Sequence, residues 1–242
     1  MSQTHGQTPS VPLSVSVLPG RAPERLPPLY AGLRYVVRPL LRRFFDFRVS
    51  GLEHLPTTGP FIVAANHANY LDGVVLGAAL PRKIVFLVMP RVYRATPLHP
   101  YFHRHVGSIP IELARPDPGA IRQALRVLED GGVVGIFPEG PFGRGGRLVR
   151  GQPGVALVAL RAGVPVVPAA ITGTFHALVA RRWHIPRRVP LRVRFGRALR
   201  FPAPGWRSLT QTLRDDVTAR VMAEIAALLG DEGSVPASTS VP

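Results

Sequence analysis

The 242 residues include no cysteine. Disulfides, a zinc ribbon, an iron–sulfur cluster and a thiol nucleophile are therefore excluded, and any nucleophile must be an oxygen or a nitrogen. Lysine occurs once, at Lys83, and acidic residues number only 14 against 30 basic ones, a formal net charge of +16 carried almost wholly by arginine. Such a surface attracts phosphate-rich partners, whether nucleic acid, anionic lipid or a phosphorylated ligand, and charge by itself does not choose among them. A bilayer-spanning run is also missing. The longest internal stretch without a charged residue, 162–180, is interrupted by Gly163, Pro165, Pro168, Gly173 and His176, which suit a strand and a turn. No charged-then-apolar signal pattern opens the chain, since Pro12, Pro19 and Pro23 break it. These absences suggest a cytoplasmic protein, soluble or attached to a surface.

What is present points to one domain of the larger kind. Residues 1–28, rich in Pro, Ser, Thr and Gly, read as a flexible leader, and 230–242 as a flexible tail. Between 29 and 49, Leu33, Val36, Val37, Leu40, Leu41 and Phe44 follow the spacing of one helix face, with Arg34, Arg38 and Arg42 on another. Pro39 is expected to kink this helix or divide it in two. Apolar runs at 61–65, 84–88, 107–112, 133–137, 166–171 and 191–195 read as strands. Helices are expected at 72–80, 119–129, 154–162 and 209–229. Strands alternating with helices predict an α/β fold with a mostly parallel central sheet, preceded by the amphipathic segment. Ligands in such sheets bind beyond the carboxyl ends of the strands, so the residues after each apolar run are the candidates for chemistry.

After the first run comes Asn66-His67-Ala68-Asn69-Tyr70-Leu71-Asp72. Across a strand-to-helix turn, Asp72 can fold back onto one imidazole nitrogen of His67, fix its tautomer and leave the other as a base for a hydroxyl. Equally, Asp72 can cap the helix and His67 can be an ordinary turn residue. After the fourth run comes Phe137-Pro138-Glu139-Gly140-Pro141-Phe142-Gly143-Arg144, with Arg147 further on. This is a carboxylate followed by a glycine-rich loop, read either as a phosphate cradle or as a solvated turn. Pro165 and Pro168 lie in Val164-Pro165-Val166-Val167-Pro168 and read as structural, marking a strand entry and an unpaired edge position.

Taken in order, these blocks resemble the glycerolipid acyltransferase family, typified by the 1-acylglycerol-3-phosphate acyltransferases. N-H-x4-D matches Asn66, His67 and Asp72, F-P-E-G matches Phe137 to Gly140, and V-P-[IV]-[IV]-P matches Val164 to Pro168. The resemblance covers residues 52–196. It implies that His67 is the general base and Asp72 its orienting partner, with the acceptor hydroxyl attacking the thioester of acyl-CoA or acyl carrier protein. These carriers are co-substrates, and the resemblance implies neither a cofactor nor a metal. It further implies that Asn66, Glu139 and Gly140 belong to the acceptor site and that Gly107 and Ile111, in the second block, G-x-x-x-[IV]-x-R, contribute to substrate binding. Two arginines of the family pattern are replaced, by Leu113 and Phe142. Arg115, Arg144 or Arg147 must then grip an acceptor phosphate through a shifted loop, or the acceptor is not a glycerol phosphate.

A lysolipid acceptor implies a membrane surface as partner and a peripheral position at the inner face of the cell membrane. The segment 33–45, with Tyr35, Phe44 and Phe45, is a candidate interfacial helix, and Arg181-Arg182-Trp183-His184 to Arg187-Arg188 a second basic and aromatic contact. A helix packed on the sheet would show the same pattern. Nucleic acid is not the expected partner, because the arginines are spread along the chain and no reader motif is present.

Overall fold

The computed structural model describes residues 28–90, 103, 106–112, 117–141, 146–178, 187–202 and 209–230, apart from the side chains of Leu29 and Leu33. Helix α1 (Pro28–Phe45) leads into strand β1 (Arg48–Ser50), and β2 (Phe61–Ala65) is followed by α2 (Leu71–Ala79) and β3 (Ile84–Val88). Then come β4 (Ile109–Pro110), α3 (Pro118–Glu129), β5 (Val133–Ile136), α4 (Gly154–Ala162) and β6 (Val166–Thr172). The short α5 (Thr174–Ala177), β7 (Arg192–Phe195) and α6 (Gln211–Leu229) complete the fold.

The strands form one sheet in the order β1-β7-β6-β2-β5-β3-β4. Every neighbouring pair is parallel except β6 with β7. Each residue of β2 and β5 is buried, the continuous apolar pattern of strands covered on both faces. Alternation divides their side chains between two layers. Phe61, Val63, Ile84 and Val167 pack with Leu76 of α2 and Leu41 of α1. Ile62, Ala64, Val85 and Val134 pack with Ala124 of α3, Val158 of α4 and Ile225 of α6. The mostly parallel sheet between helices is the expected architecture.

Three local features bear on the expectations. Helix α1 is a single element with Pro39 inside it, so of the two expected outcomes the division in two does not occur. Pro39 is on the exposed side, where water can satisfy the carbonyl that loses its partner. The run 107–112 contributes only the two residues of β4, because Gly107 turns the chain at φ 81° and Ile111 N already closes on Val88 O at 2.8 Å. Pro168 is not at an edge, since β6 lies between β7 and β2. Its missing donor falls where the chain opposite bulges. Leu199 pairs with Val166 and Phe195 with Ala169, so four steps of one chain face three of the other.

Candidate active site

Parallel pairing sets the level of the site. Ala64 of β2 lies opposite Ile136 of β5, so His67 and Glu139, each three residues further on, leave the sheet side by side. On the other flank, Asn66 sutures the end of β2 to β6, with its Nδ2 donating to Ile171 O at 2.9 Å and its Oδ1 accepting from Ile171 N at 2.7 Å. The loop that follows is short and held at both ends.

Asp72 lies in the first turn of α2 and is fully buried. Its Oδ2 accepts from His67 Nδ1 at 2.9 Å and from the backbone N–H groups of Ala68 at 2.6 Å and Asn69 at 2.8 Å. The capping alternative therefore does not describe Asp72, whose carboxylate turns back onto the loop rather than toward the helix behind it. With the imidazole proton on Nδ1, facing this carboxylate, the ring lone pair is on Nε2. Asn69, which the sequence reading passed over, is also buried; its Oδ1 accepts from Leu71 N at 2.8 Å and its Nδ2 donates to Thr174 O. Its position inside the six-residue span from His67 to Asp72 was the available signal, because an Asn in a tight turn commonly bonds local backbone.

The imidazole is held from a second side by aromatic stacking. The rings of His67 and Phe137 are 4.0 Å apart and inclined by 12°, and Phe137 in turn stacks on Phe86 of β3 at 5.7 Å. Phe86 can lie there because residue 135 is glycine, where a Cβ would stand 2.6 Å from the Phe86 ring. Glu139, also buried, accepts from His67 N at 2.7 Å through Oε1 and from Val149 N at 3.0 Å through Oε2. Burial pushes its carboxyl above the usual range, against the lowering effect of those two N–H groups. Gly140 closes the turn with φ 75°, and the Gln152 side chain occupies the place a Cβ would need.

A cavity of about 270 Å³ opens beside His67. Phe137, Pro138, Gly140 and Gln152 line it at the carboxyl ends of the strands, and Ile84, Gly77 and Tyr30 line it at the amino end of β3. It therefore runs most of the length of β3 beneath α1 and α2. Ile111 lines it as well. Gly107 does not, and sits next to Lys83 at the far end of the sheet. Pro165 enters β6, its carbonyl accepting from Ile62 N at 2.9 Å. Arg147 is exposed and is not among the residues lining the cavity. Arg115 and Arg144, like Leu113 and Phe142, lie outside the described residues.

Comparison with known proteins places the chain in a family. The Acyltransferase family model matches residues 46–172. A 1-acyl-sn-glycerol-3-phosphate acyltransferase of Bacillus subtilis is 28% identical over 127 residues, 52% of this chain and 62% of its own length. A chloroplastic enzyme of that name from Arabidopsis thaliana is 29% identical over 136 residues, 54% of this chain and 37% of its length. A lyso-ornithine lipid O-acyltransferase of Pseudomonas aeruginosa is 36% identical over 129 residues, 53% of this chain and 48% of its length. The chain thus matches between 37 and 62% of the length of these curated relatives. The crystal structure of the 1-acyl-sn-glycerophosphate acyltransferase from Thermotoga maritima superposes with a TM-score of 0.67 at 22% identity, covering 87% of this chain and 82% of that one, a likeness of fold. With its family model spanning 127 of the 242 residues, the chain belongs to the acyltransferase family.

Proposed function

We propose that this protein is an O-acyltransferase that moves a fatty acyl chain from the thioester of acyl-CoA or acyl carrier protein to the free hydroxyl of a lysolipid. The observation that carries the reading is the buried Asp72 holding His67 at the mouth of an apolar cavity. In the reaction, His67 Nε2 takes the proton of the acceptor hydroxyl as its oxygen attacks the thioester carbonyl carbon. Asp72 stabilises the imidazolium that results. Collapse of the tetrahedral intermediate breaks the carbon–sulfur bond, and the departing thiolate recovers the proton from His67. Transfer needs no covalent acyl-enzyme.

For the acceptor, 1-acylglycerol-3-phosphate is the first choice, giving phosphatidic acid, in keeping with the names of the Bacillus subtilis and Arabidopsis thaliana relatives. A second reading has a specific basis. Leucine and phenylalanine occupy two positions where the resemblance leads one to expect arginine, and the Pseudomonas aeruginosa relative is named for a lyso-ornithine lipid. An acceptor without a phosphate monoester would not need those arginines.

Meeting such an acceptor requires contact with a lipid surface, and α1 has a face suited to it. Tyr30, Val37, Leu41 and Phe45 face the core, whereas Val36, Leu40 and Phe44 form an exposed apolar stripe at four-residue spacing. The guanidinium of Arg188 lies 5.3 Å from the Phe44 ring centroid, so the described end of the second basic cluster joins the first. No helix among the described residues is long and apolar enough to cross a membrane. Apolar stripe and arginines together suit peripheral attachment to an anionic leaflet.

The test is mass-spectrometric analysis of products from the purified protein with acyl-CoA or acyl carrier protein and a panel of lysolipids. Acylated lysophosphatidic acid supports the first acceptor. A product from a phosphate-free acceptor only supports the second, and no product from any pair refutes the acyltransfer reading.

A further inference from the structure

The carboxylate of Asp72 is held on one side only. Its Oδ2 accepts three hydrogen bonds, whereas Oδ1, equally buried, has no partner among the described residues. A second such atom belongs to the same network. Thr174 is 1% exposed, and its Oγ1 likewise has no partner among the described residues. Asn69 joins the two, since its backbone N–H donates to Asp72 Oδ2 and its Nδ2 to the carbonyl of Thr174. The same offset of 105 residues relates Asn66 to Ile171 and Asn69 to Thr174, so the His67 loop and the turn after β6 run alongside each other. Gly173 permits that turn, with φ 88° and a Cβ position only 2.1 Å from Pro190 O.

Buried polar atoms without partners are rare, because each has given up its hydration on folding. A carboxylate oxygen can only accept and a hydroxyl can donate, so each of these atoms supplies what the other lacks. No direct hydrogen bond joins them. A water that donates to Oδ1 and accepts from Oγ1–H is the usual link between such groups. We infer that Thr174 is a positioning residue for the His67–Asp72 pair, its hydroxyl supporting Asp72 Oδ1 through a bridging water. Three donors fix where Oδ2 lies, and support at Oδ1 fixes the direction in which the carboxylate plane faces the imidazole. Branching at Cβ restricts the Thr174 side chain to few rotamers, which suits it to hold a direction. The inference deepens the acyltransfer reading and rests on it for any effect on turnover.

Thr174→Val keeps the shape of the side chain and removes the hydroxyl, whereas Thr174→Ser keeps the hydroxyl. With the donor and acceptor on which the wild type is active, Thr174→Val is expected to lower kcat about fivefold or more while KM stays within about twofold. Thr174→Ser should retain most of the wild-type kcat. A residue that acts through Asp72 has little left to act on once Asp72 is changed. In the Asp72→Asn background, Thr174→Val should therefore alter kcat by less than about twofold, whereas independent effects would multiply. Thermal melting supplies a readout that does not require turnover. An isolated buried hydroxyl is unfavourable, and valine in its place would hold or raise the midpoint. A hydroxyl linked to Asp72 leaves Oδ1 unsupported when removed, and Thr174→Val should then melt about 2–4 °C lower, a difference that shrinks in the Asp72→Asn background. Unchanged kcat in Thr174→Val, at any melting temperature, would overturn the inference. So would effects on kcat that multiply with Asp72→Asn, or a Thr174→Ser variant no more active than Thr174→Val. If the wild type acylates no acceptor, the acyltransfer reading fails, and the melting comparison by itself upholds or overturns the link between Thr174 and Asp72.

Discussion

Glu139 holds the main chain of His67: His67 N donates to Glu139 Oε1 at 2.7 Å across 72 residues of sequence. The second oxygen anchors Val149 N at 3.0 Å, so one buried carboxylate ties the histidine loop to the chain beyond the glycine-rich turn. Burial raises the Glu139 carboxyl in the folded state above its unfolded value. The folded protein therefore binds this proton more tightly than the unfolded chain, and the associated stability is present at low pH and lost as pH rises through the folded value. Urea unfolding of wild type and Glu139→Gln as a function of pH checks the sign. The wild type should lose stability relative to the variant on going from acid toward neutral pH. At neutral pH the variant should still be the less stable, by about 1–3 kcal/mol, because an amide cannot accept from both N–H groups.

Asp72 has a double duty, since Oδ2 serves the imidazole and two backbone donors together. Asp72→Asn removes the charge that stabilises the imidazolium. Turnover should fall at least about tenfold, with a loss of roughly 1–3 kcal/mol in unfolding free energy. Steady-state kinetics alongside denaturant unfolding separates the two effects, and unchanged kcat would dissociate Asp72 from proton transfer.

Asn66 acts on the frame rather than the chemistry. Asn66→Ala leaves both Ile171 N and Ile171 O without their buried partner, a cost of about 2–4 kcal/mol. Chemical denaturation measures it directly.

The exposed stripe of α1 predicts a separable defect. Leu40→Asp or Phe44→Asp should weaken sedimentation with anionic vesicles by about tenfold or more. The fold should change by less than about 0.5 kcal/mol, because both side chains are already exposed. Higher salt should weaken wild-type binding as well, through Arg42, Arg43 and Arg188.

Much of this was legible in the chain. Continuous apolar runs bounded by Gly and Pro marked β2, β3, β5 and β6, because strands buried on both faces carry few polar residues. Strand β1 was hidden, since Arg48, Val49 and Ser50 form a three-residue edge whose pattern is no more apolar than a loop. The pairing of His67 with Asp72 followed from local spacing. The grip of Glu139 on His67 N did not, because it depends on the register of β2 against β5, which no local pattern encodes. The cavity was equally silent. Gly73 and Gly77 are among the residues lining it, and a missing side chain has no periodicity.

The most direct test of the account is the kcat of His67→Ala with the donor and acceptor pair on which the wild type is active, with folding verified by thermal melting. Loss of the general base should lower kcat by about 10²–10⁴-fold while leaving the melt cooperative. A folded His67→Ala variant that turns over within a fewfold of wild type would contradict the claim that His67 takes the acceptor's proton.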